Sequence, residues 1–345
     1  MGSEIAGKTV LLAMSGGVDS SVAAALVKRA GFDTEGVFMR LWRVSNSPQA
    51  EKKAKEAARI LKIPLRVLDL KKEFKKSVVD YFLKESRLGR TPNPCVVCNK
   101  EIKFGLLLKK ALALKADYVA SGHYALLKNN RLFEAKDKDQ SYFLWMLKQK
   151  QLRRILFPLA SYTKKETKEL AKKFKLPVTD FSESQEICFV RGAVNDFLAK
   201  YIKAKRGPIV NFSDRMSRVG EHGGLAFYTL GQRKGIRLSG GPYWVLDKNL
   251  KKNTLLVTKN ERDLFKKELV LRGANWISGK PPKFPLRIKA KIRYGTKPAS
   301  ALLRSDRVVF DRPQRAITPG QSVVFYKRGE VLGGAFIFSL KNSKI

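Results

Sequence analysis

The chain has 345 residues, enough to bury a full core and to hold two or three domains. Its hydrophobic fraction, 44%, is ordinary for a globular protein, but 70 Lys+Arg against 30 Asp+Glu give a formal charge of +40. Three Cys and two His exclude a disulfide scaffold and fit a reducing cytoplasm, and the apolar runs are too short and too charged to predict a membrane span or a signal peptide. The charge points to a polyanion, with nucleic acid the usual one. Solvated helix runs such as Lys52-Lys53-Ala54-Lys55 account for part of the excess in a plainer way.

The first predicted strand, residues 10–14, is an apolar run read as buried and parallel. It leads into Ser15-Gly16-Gly17, and Asp19 then opens a helix predicted over 20–30 and closed by Gly31. A strand, a tight glycine turn and a helix N-terminus make an anion site. The turn's N–H groups point inward and the helix dipole favours negative charge. Gly16 and Gly17 let the backbone approach phosphate oxygens where a Cβ would obstruct. No Gly-Lys-Ser/Thr follows, so this is not a Walker A loop, and an ordinary turn with no nucleotide is the plainer alternative.

Further strands are predicted at 36–39, 65–70 and 118–121, with helical patterns at 49–61 and 102–114 between them. Strand and helix in alternation predict an α/β fold, a parallel sheet with helices on both faces. Ligands in such sheets sit at the carboxyl ends of the strands, where Ser15, Met39 and Gly122-His123 all fall. Met39 is placed to flank an adenine and Gly122 to admit a ribose or phosphate, although a Met at a strand end is usually core.

The next informative stretch is Thr91-Pro92-Asn93-Pro94-Cys95-Val96-Val97-Cys98-Asn99-Lys100. Two prolines hold an extended approach, and Cys98 is expected at or just before the start of the following helix. A helix N-terminus with Lys100 and Lys103 nearby would lower the thiol pKa and favour the thiolate. The alternative is a structural Cys-x-x-Cys, half of a zinc site. Such a site needs four ligands, and beyond this pair the chain offers Cys188 and two His. Cys188, with Ile187 and Phe189 beside it, reads by itself as a small buried hydrophobe.

From about Ala199 the pattern becomes one of short runs broken by Gly and Pro, with strands at 243–246 and 255–258. Residues 268–345 are strand-rich with turn signals and suggest a small barrel. The expected domains are therefore 1–198, 199–267 and 268–345. Residues 286–294 alternate, with Leu286, Ile288, Ala290, Ile292 and Tyr294 on one face and Arg287, Lys289, Lys291 and Arg293 on the other. Eleven basic residues stand against two acidic between Lys280 and Arg315. A solvated strand face is the bland reading, and an RNA-backbone surface the sharper one.

Ser-Gly-Gly-Val-Asp-Ser in its strand–turn–helix context resembles the pyrophosphate (PP) loop of the ATP pyrophosphatases, which adenylate an oxygen and release pyrophosphate. The chain continues with Pro-Asn-Pro-x-x-x-Cys-Asn-Lys-Glu-Ile-Lys-Phe, Gly122-His123-Tyr124 and Lys138-Asp139-Gln140-Ser141-Tyr142-Phe143-Leu144. Then come Ser184-Gln185-Glu186-Ile187-Cys188-Phe189, Gly220-Glu221-His222, the run from Tyr228 to Gly235, Lys291-Ile292-Arg293-Tyr294 and Thr318-Pro319-Gly320-Gln321. Taken in this order, over nearly the whole chain, these blocks resemble the bacterial tRNA-specific 2-thiouridylases. The resemblance implies a PP-loop α/β domain, a small β-rich central domain and a C-terminal tRNA-binding β-barrel. It implies ATP with Mg²⁺ at Ala13, Met14, Ser15, Gly16, Gly17, Val18, Asp19, Ser20, Met39 and Gly122. The activity implied is replacement of the C2 oxygen of the wobble uridine, U34, by sulfur. That oxygen is a poor leaving group until adenylation lets it depart with AMP.

By the same resemblance Cys98 is the nucleophile and Cys188 carries a persulfide, after which a Cys98–Cys188 disulfide is reset by a reductant. Cys95 stands where the best-known members carry Asp, proposed there as a general acid/base. A thiol titrates at about 8.5 rather than about 4, so a second route opens. In it Cys95, Cys98 and Cys188 hold a [4Fe–4S] cluster by three irons and the fourth binds sulfide. The acid often found after the Met39 strand is missing from 41–48. Asn93, Pro94 and Cys95 match target-base positions. His123, Lys138, Asp139, Gln140, Arg293, Tyr294 and Gln321 match tRNA contacts. Taken alone, His123 at a strand end serves equally well to satisfy backbone groups, and Gln321 to shape a turn. The implied partners are tRNAs for Lys, Glu and Gln, and a sulfur donor, either a cysteine desulfurase or a relay, in the cytoplasm. The rivals are another PP-loop ligase, which would not need paired cysteines, and a non-catalytic RNA-binding protein with a vestigial loop.

Overall fold

The computed structural model describes residues 7–42, 48–177 and 187–340. The chain opens with β1 (Thr9–Ala13), α1 (Val18–Arg29), β2 (Asp33–Arg40), α2 (Pro48–Ile60) and β3 (Leu65–Asp69). A long helical stretch follows: α3 (Lys71–Phe74), a π-turn over Lys75–Val79, α4 (Asp80–Arg87), α5 (Pro94–Cys98), a second π-turn over Asn99–Leu106, and α6 (Leu107–Ala113). Then come β4 (Tyr118–Ser121), the hairpin β5 (Leu126–Lys128) and β6 (Arg131–Phe133), α7 (Gln149–Leu152), β7 (Ile155–Leu156), α8 (Lys164–Lys173) and α9 (Val194–Tyr201). Strands β3-β2-β1-β4-β7 form one parallel sheet in that order. The apolar run of β1 is buried on both faces, Leu11 in one core layer and Val10 and Leu12 in the other, as a doubly covered parallel strand requires.

A four-stranded sheet follows, made of β8 (Gly207–Asn211), β9 (Ser217–His222), β10 (Trp244–Asn249) and β11 (Thr254–Thr258) in the order β10-β11-β8-β9. His222 is fully buried there. Its Nε2 lies 3.0 Å from the Asn253 carbonyl and its Nδ1 3.1 Å from the Gly224 N–H, so it ties the sheet together. The last strands are β12 (Phe265–Trp276), β13 (Leu286–Lys291), β14 (Ala299–Leu303), β15 (Arg307–Arg315), β16 (Ser322–Lys327) and β17 (Glu330–Leu340). They run in the order β12-β15-β14-β13-β16-β17, and β17 returns to pair with β12, closing an antiparallel barrel without free edges. The β5–β6 hairpin of the first unit joins β17 through the Glu330–Phe133 pairing, so the barrel sheet borrows two strands from that unit.

Four expectations need correction. The helix expected over 102–114 begins much earlier: Pro94, with its fixed φ and no N–H, sits in the first turn of α5, and the helical run continues to Ala113. Cys98 therefore ends α5 inside a continuous helical run, a turn past its N-terminus, and not at or just before a helix start. The four-cation stripe does not form a continuous exposed face. Regular strand ends at Lys291, which is only 8% exposed and faces Asp139 of the first unit at 4.0 Å. Arg287 pairs with Asp311 and Arg293 turns back onto the Ala316 carbonyl. On the opposite face Ile288, Ala290 and Ile292 enter the barrel core as expected, whereas Tyr294 leaves it to pack on Phe143.

The units are locked together around α4 and the segment that follows it. Buried Glu85 receives Arg90 of its own unit at 2.8 Å and Arg272 of β12 at 3.1 Å, and both guanidiniums lie over the Phe338 ring. A carboxylate removed from water is tolerable only when it is paired in this way. Glu85→Ala should lower unfolding free energy by roughly 2–4 kcal/mol, because two arginines lose their shared partner. Urea denaturation checks this, and an unchanged midpoint would mean that solvent replaces the carboxylate without penalty.

Candidate nucleotide and thiol site

The glycine loop lies where β1 ends and α1 begins. Gly17 caps α1, and no side chain closes the cap, so its first-turn N–H groups are offered to the loop. Ser20 folds back over this turn, its hydroxyl donating to the Gly17 carbonyl (3.0 Å) and accepting from the Ser15 N–H (3.1 Å). Gly16 has φ +79°, and a Cβ there would stand 2.2 Å from the Ala50 carbonyl oxygen, so only glycine fits. Gly122, at the end of β4, is equally constrained, since its Cβ would lie 2.8 Å from the Asp19 carbonyl carbon and from the Ser20 nitrogen. Met39, one residue before the end of β2, lies alongside, 8% exposed. Ala13 to Ser20, Met39 and Gly122 thus share the carboxyl edge of β1, β2 and β4.

Asp19 is held from outside the loop. Lys164, the first residue of α8, donates to its Oδ1 at 2.5 Å, and the Tyr124 hydroxyl does so at 2.9 Å. Lys164 is fixed by a capping box in which the Thr163 hydroxyl accepts from the Glu166 N–H and the Glu166 carboxylate accepts from the Thr163 N–H. Lys164 and Tyr124 escaped sequence reasoning. The Thr163-x-x-Glu166 signature marks a helix start, but nothing local to it indicates that the start lies against a loop far upstream in the chain.

The three cysteines are free thiols. Cys95 lies in the first turn of α5, Cys98 is buried at its end, and Cys188 is exposed beside buried Phe189. Residues 182–186, from the loop-like stretch before Cys188, and 43–47, from the acid-free loop after Met39, lie outside the described residues. All three thiols are near enough to Lys103 to feel its charge, and Cys188 acts electrostatically on Cys95 and Cys98. The expected activation is reversed in the resting site. Burial pushes Cys98 up to about 12 and Cys95 up to about 11, and the opposing pull of Lys103 is the weaker effect. Cys98 has also lost the helix N-terminus, and Lys100 is paired with Glu101. No three Cys, His, Asp or Glu side chains among the described residues stand together as a metal-holding group.

His123 bridges the two halves of the site. Its neighbour Gly122 touches the glycine loop, while its ring packs on Phe104 of the cysteine helix and on Phe157. Its Nδ1 lies 2.8 Å from the Ser121 hydroxyl, and burial together with Lys103 holds the imidazole neutral. The other matched positions meet along the junction of the first unit with the barrel. The Asp139 carboxylate accepts from the N–H groups of Ala135 (3.1 Å) and Ser141 (3.0 Å), and Gln140 exchanges hydrogen bonds with the Tyr124 backbone. Lys138 adopts a left-handed backbone in the same turn. Asn93 bonds the Tyr142 hydroxyl, which donates to the Ser322 carbonyl, while Tyr294 lies on Phe143 at 4.5 Å and Lys291 over Tyr294 at 5.7 Å. Gln321 donates to the Thr91 carbonyl at 2.8 Å, just ahead of the Pro92-Asn93-Pro94 block.

A parallel sheet with this glycine loop at its carboxyl edge, followed by a closed barrel, defines a PP-loop protein. The family profile described as tRNA methyl transferase HUP domain matches residues 8–192, more than half of the chain. Profiles described as tRNA methyl transferase PRC-barrel domain and Aminomethyltransferase beta-barrel domain match 195–259 and 266–337. A relative from Syntrophomonas wolfei named tRNA-specific 2-thiouridylase MnmA is 44% identical over 344 residues, covering 95% of this chain and 99% of its own. The protein of that name from Clostridioides difficile is 43% identical over 357 residues, covering 96% and 98%. The chain belongs to the tRNA-specific 2-thiouridylase family. Among solved structures, the U34-tRNA thiolase NcsA from Methanococcus maripaludis with its [4Fe-4S] cluster aligns with a TM-score of 0.35 at 15% identity, over 57% of this chain and 64% of that one.

The raised thiols give a pH test. In the free protein, iodoacetamide labelling of Cys98 should still be climbing at a pH of about 9.5, with no plateau at the usual thiol value of about 8.5. Lys103→Met should slow the labelling at fixed pH, because it removes the one charge that pulls the thiol down. A plateau near pH 8.5, read by mass spectrometry of the modified peptide, would show that burial does not govern Cys98.

Proposed function

We propose that this protein is an ATP-dependent tRNA 2-thiouridylase acting on the C2 oxygen of U34 in tRNAs for Lys, Glu and Gln. The observation that carries the reading is Gly122-His123. These two residues join a loop fit for phosphates to a helix that holds two thiols, within a family whose relatives are named for this reaction. In this scheme residues 1–198 form the catalytic domain, 199–267 the central domain and 268–345 the tRNA-binding barrel.

Ala13 to Ser20, Met39 and Gly122 would hold ATP, and the uncapped amides of α1 and the Lys164 ammonium would meet its phosphates. Mg²⁺ bound with the nucleotide would supply neutralisation of the departing pyrophosphate. The uridine O2 attacks the α-phosphorus, pyrophosphate leaves, and the N3 proton is lost to solvent. The terminal sulfur of a Cys188 persulfide then attacks C2 and AMP departs, which leaves C2 joined to Cys188 through two sulfurs. Cys98 attacks the Cys188 sulfur, releases the 2-thiouridine and forms a Cys98–Cys188 disulfide. A dithiol reductant returns the pair to thiols. A cysteine desulfurase or relay protein charges Cys188, whose exposure suits a protein donor. Placing a uridine at Cys95 and Cys98 requires the base to leave its stack. The whole scheme belongs to a reducing cytoplasm. No helix among the described residues is long and apolar enough to cross a membrane.

A [4Fe–4S] cluster on Cys95, Cys98 and Cys188 is the second route. Thiols are the right donors for it, but among the described residues these three are not gathered as a ligand set. Cys98→Ser should abolish thiolation and leave ATP affinity unchanged. A loss of ATP binding would make Cys98 structural. Lys164→Met should raise the KM for ATP by about tenfold in tRNA-dependent pyrophosphate release. If KM stays put, Lys164 serves only Asp19.

A further inference from the structure

Asn99 is the residue whose chemistry the scheme above does not use. It is 3% exposed, and its Nδ2 donates to the Phe143 carbonyl at 3.1 Å. Its Oδ1 is buried and has no hydrogen-bond partner among the described residues. The orientation of the amide is not open to exchange, because a backbone carbonyl only accepts and the NH₂ end must face it. An acceptor is therefore left over in a closed environment, where an unmade hydrogen bond is destabilising.

The placement of that acceptor is informative. The Asn99 N–H donates to the Cys95 carbonyl, so the two side chains lie one helical turn apart on the same face, next to Cys98. Phe143, which fixes the amide, packs against Tyr294 with the rings tilted by 38°, while its neighbour Tyr142 bonds Asn93. Asn99 thus stands among the residues expected to meet the target base.

We propose that the Asn99 Oδ1 accepts the N3–H of the target uracil and selects uracil over cytosine. The proposal rests on the reading of the site as one for a flipped uridine. A uracil edge presents O2, N3–H and O4, that is, acceptor, donor, acceptor. Cytosine has a lone pair at N3, so against Asn99 two acceptors would face each other and the Oδ1 would stay unsatisfied. A site built around one hydrogen bond rejects the base that cannot make it.

The test uses the full-length protein and anticodon stem-loop RNAs that differ only at the target base: uridine, cytidine or 3-methyluridine. Affinity is read by fluorescence anisotropy. The unaltered protein should prefer uridine to cytidine by about tenfold or more, and methylation of N3 should erase that preference. Asn99→Leu should bind the uridine and cytidine RNAs within about twofold of each other, while its salt dependence, set by phosphate contacts, stays unchanged. Asn99→Ser serves if the leucine variant does not fold. A folded variant that keeps the preference overturns the proposal. An unaltered protein that ignores the base or tolerates the N3 methyl also overturns it. Thiolation of U34, assayed beside binding, separates the two readings. Activity without base preference sinks the role of Asn99 alone. Preference without activity sinks sulfur transfer alone.

Discussion

Six residues without regular structure, Leu88 to Asn93, set the conditions for the rest of the molecule. Between the end of α4 and the start of α5 the backbone has no helix to satisfy it, and a buried unpaired amide or carbonyl is not tolerated. Much of its bonding comes from the other two units. Lys248 donates to the Gly89 carbonyl, the Thr229 hydroxyl meets that of Thr91, the Thr91 N–H donates to the Pro319 carbonyl, and Gln321 donates to the Thr91 carbonyl. Gly320, at φ +93°, lets the barrel turn come so close that a Cβ would stand 2.9 Å from that of Arg90. The central sheet and the barrel therefore act as walls that fix where α5 begins, and so where Cys95, Cys98 and Asn99 point. The barrel turn is thus one side chain, Gln321, away from the Pro92-Asn93-Pro94 segment.

Burial gives the thiols a particular resting state. A thiolate in water is nucleophilic but also open to oxidation. Here desolvation holds Cys95 and Cys98 neutral against the pull of Lys103. Displacing the packing around Lys103 and Cys98 changes the balance between desolvation and the lysine charge, which is the only opposing influence on Cys98. His123, kept neutral by burial and by the same lysine, touches both this balance and, through Gly122, the glycine loop.

What the sequence revealed and what it withheld divide along a physical line. Local signals survived. The apolar run into Ser-Gly-Gly, the period-two alternation of Ile288, Ala290 and Ile292, and the strand at Tyr118–Ser121 depend only on neighbours in the chain. Long-range electrostatics did not. The thiol pKa was expected to follow from a helix N-terminus and adjacent lysines, but Pro94 moved the helix start and burial reversed the sign. Lys291 reads as one of four equivalent cations, yet only the fold brings Asp139 to it and leaves it buried. Lys164 is invisible for the same reason: its partner Asp19 lies 145 positions away in the chain.

The junction between the first unit and the barrel is where these separate features acquire a common logic. Its residues come from two distant stretches, Asn93–Asp139–Tyr142–Phe143 on one side and Lys291–Tyr294–Ser322 on the other. It is rich in aromatic faces and amide or hydroxyl edges, the two surfaces that recognise unstacked bases in single-stranded RNA. A formal charge of +40 suits binding along a phosphate backbone but carries no preference for one base over another. Discrimination must come from fixed hydrogen-bonding groups whose orientation the protein itself enforces. In this seam Asn99 has that property, because the Phe143 carbonyl dictates which end of its amide is free. The borrowed β5–β6 hairpin, paired to β17, ties the barrel to the unit that carries this amide and holds the two sides of the seam in register.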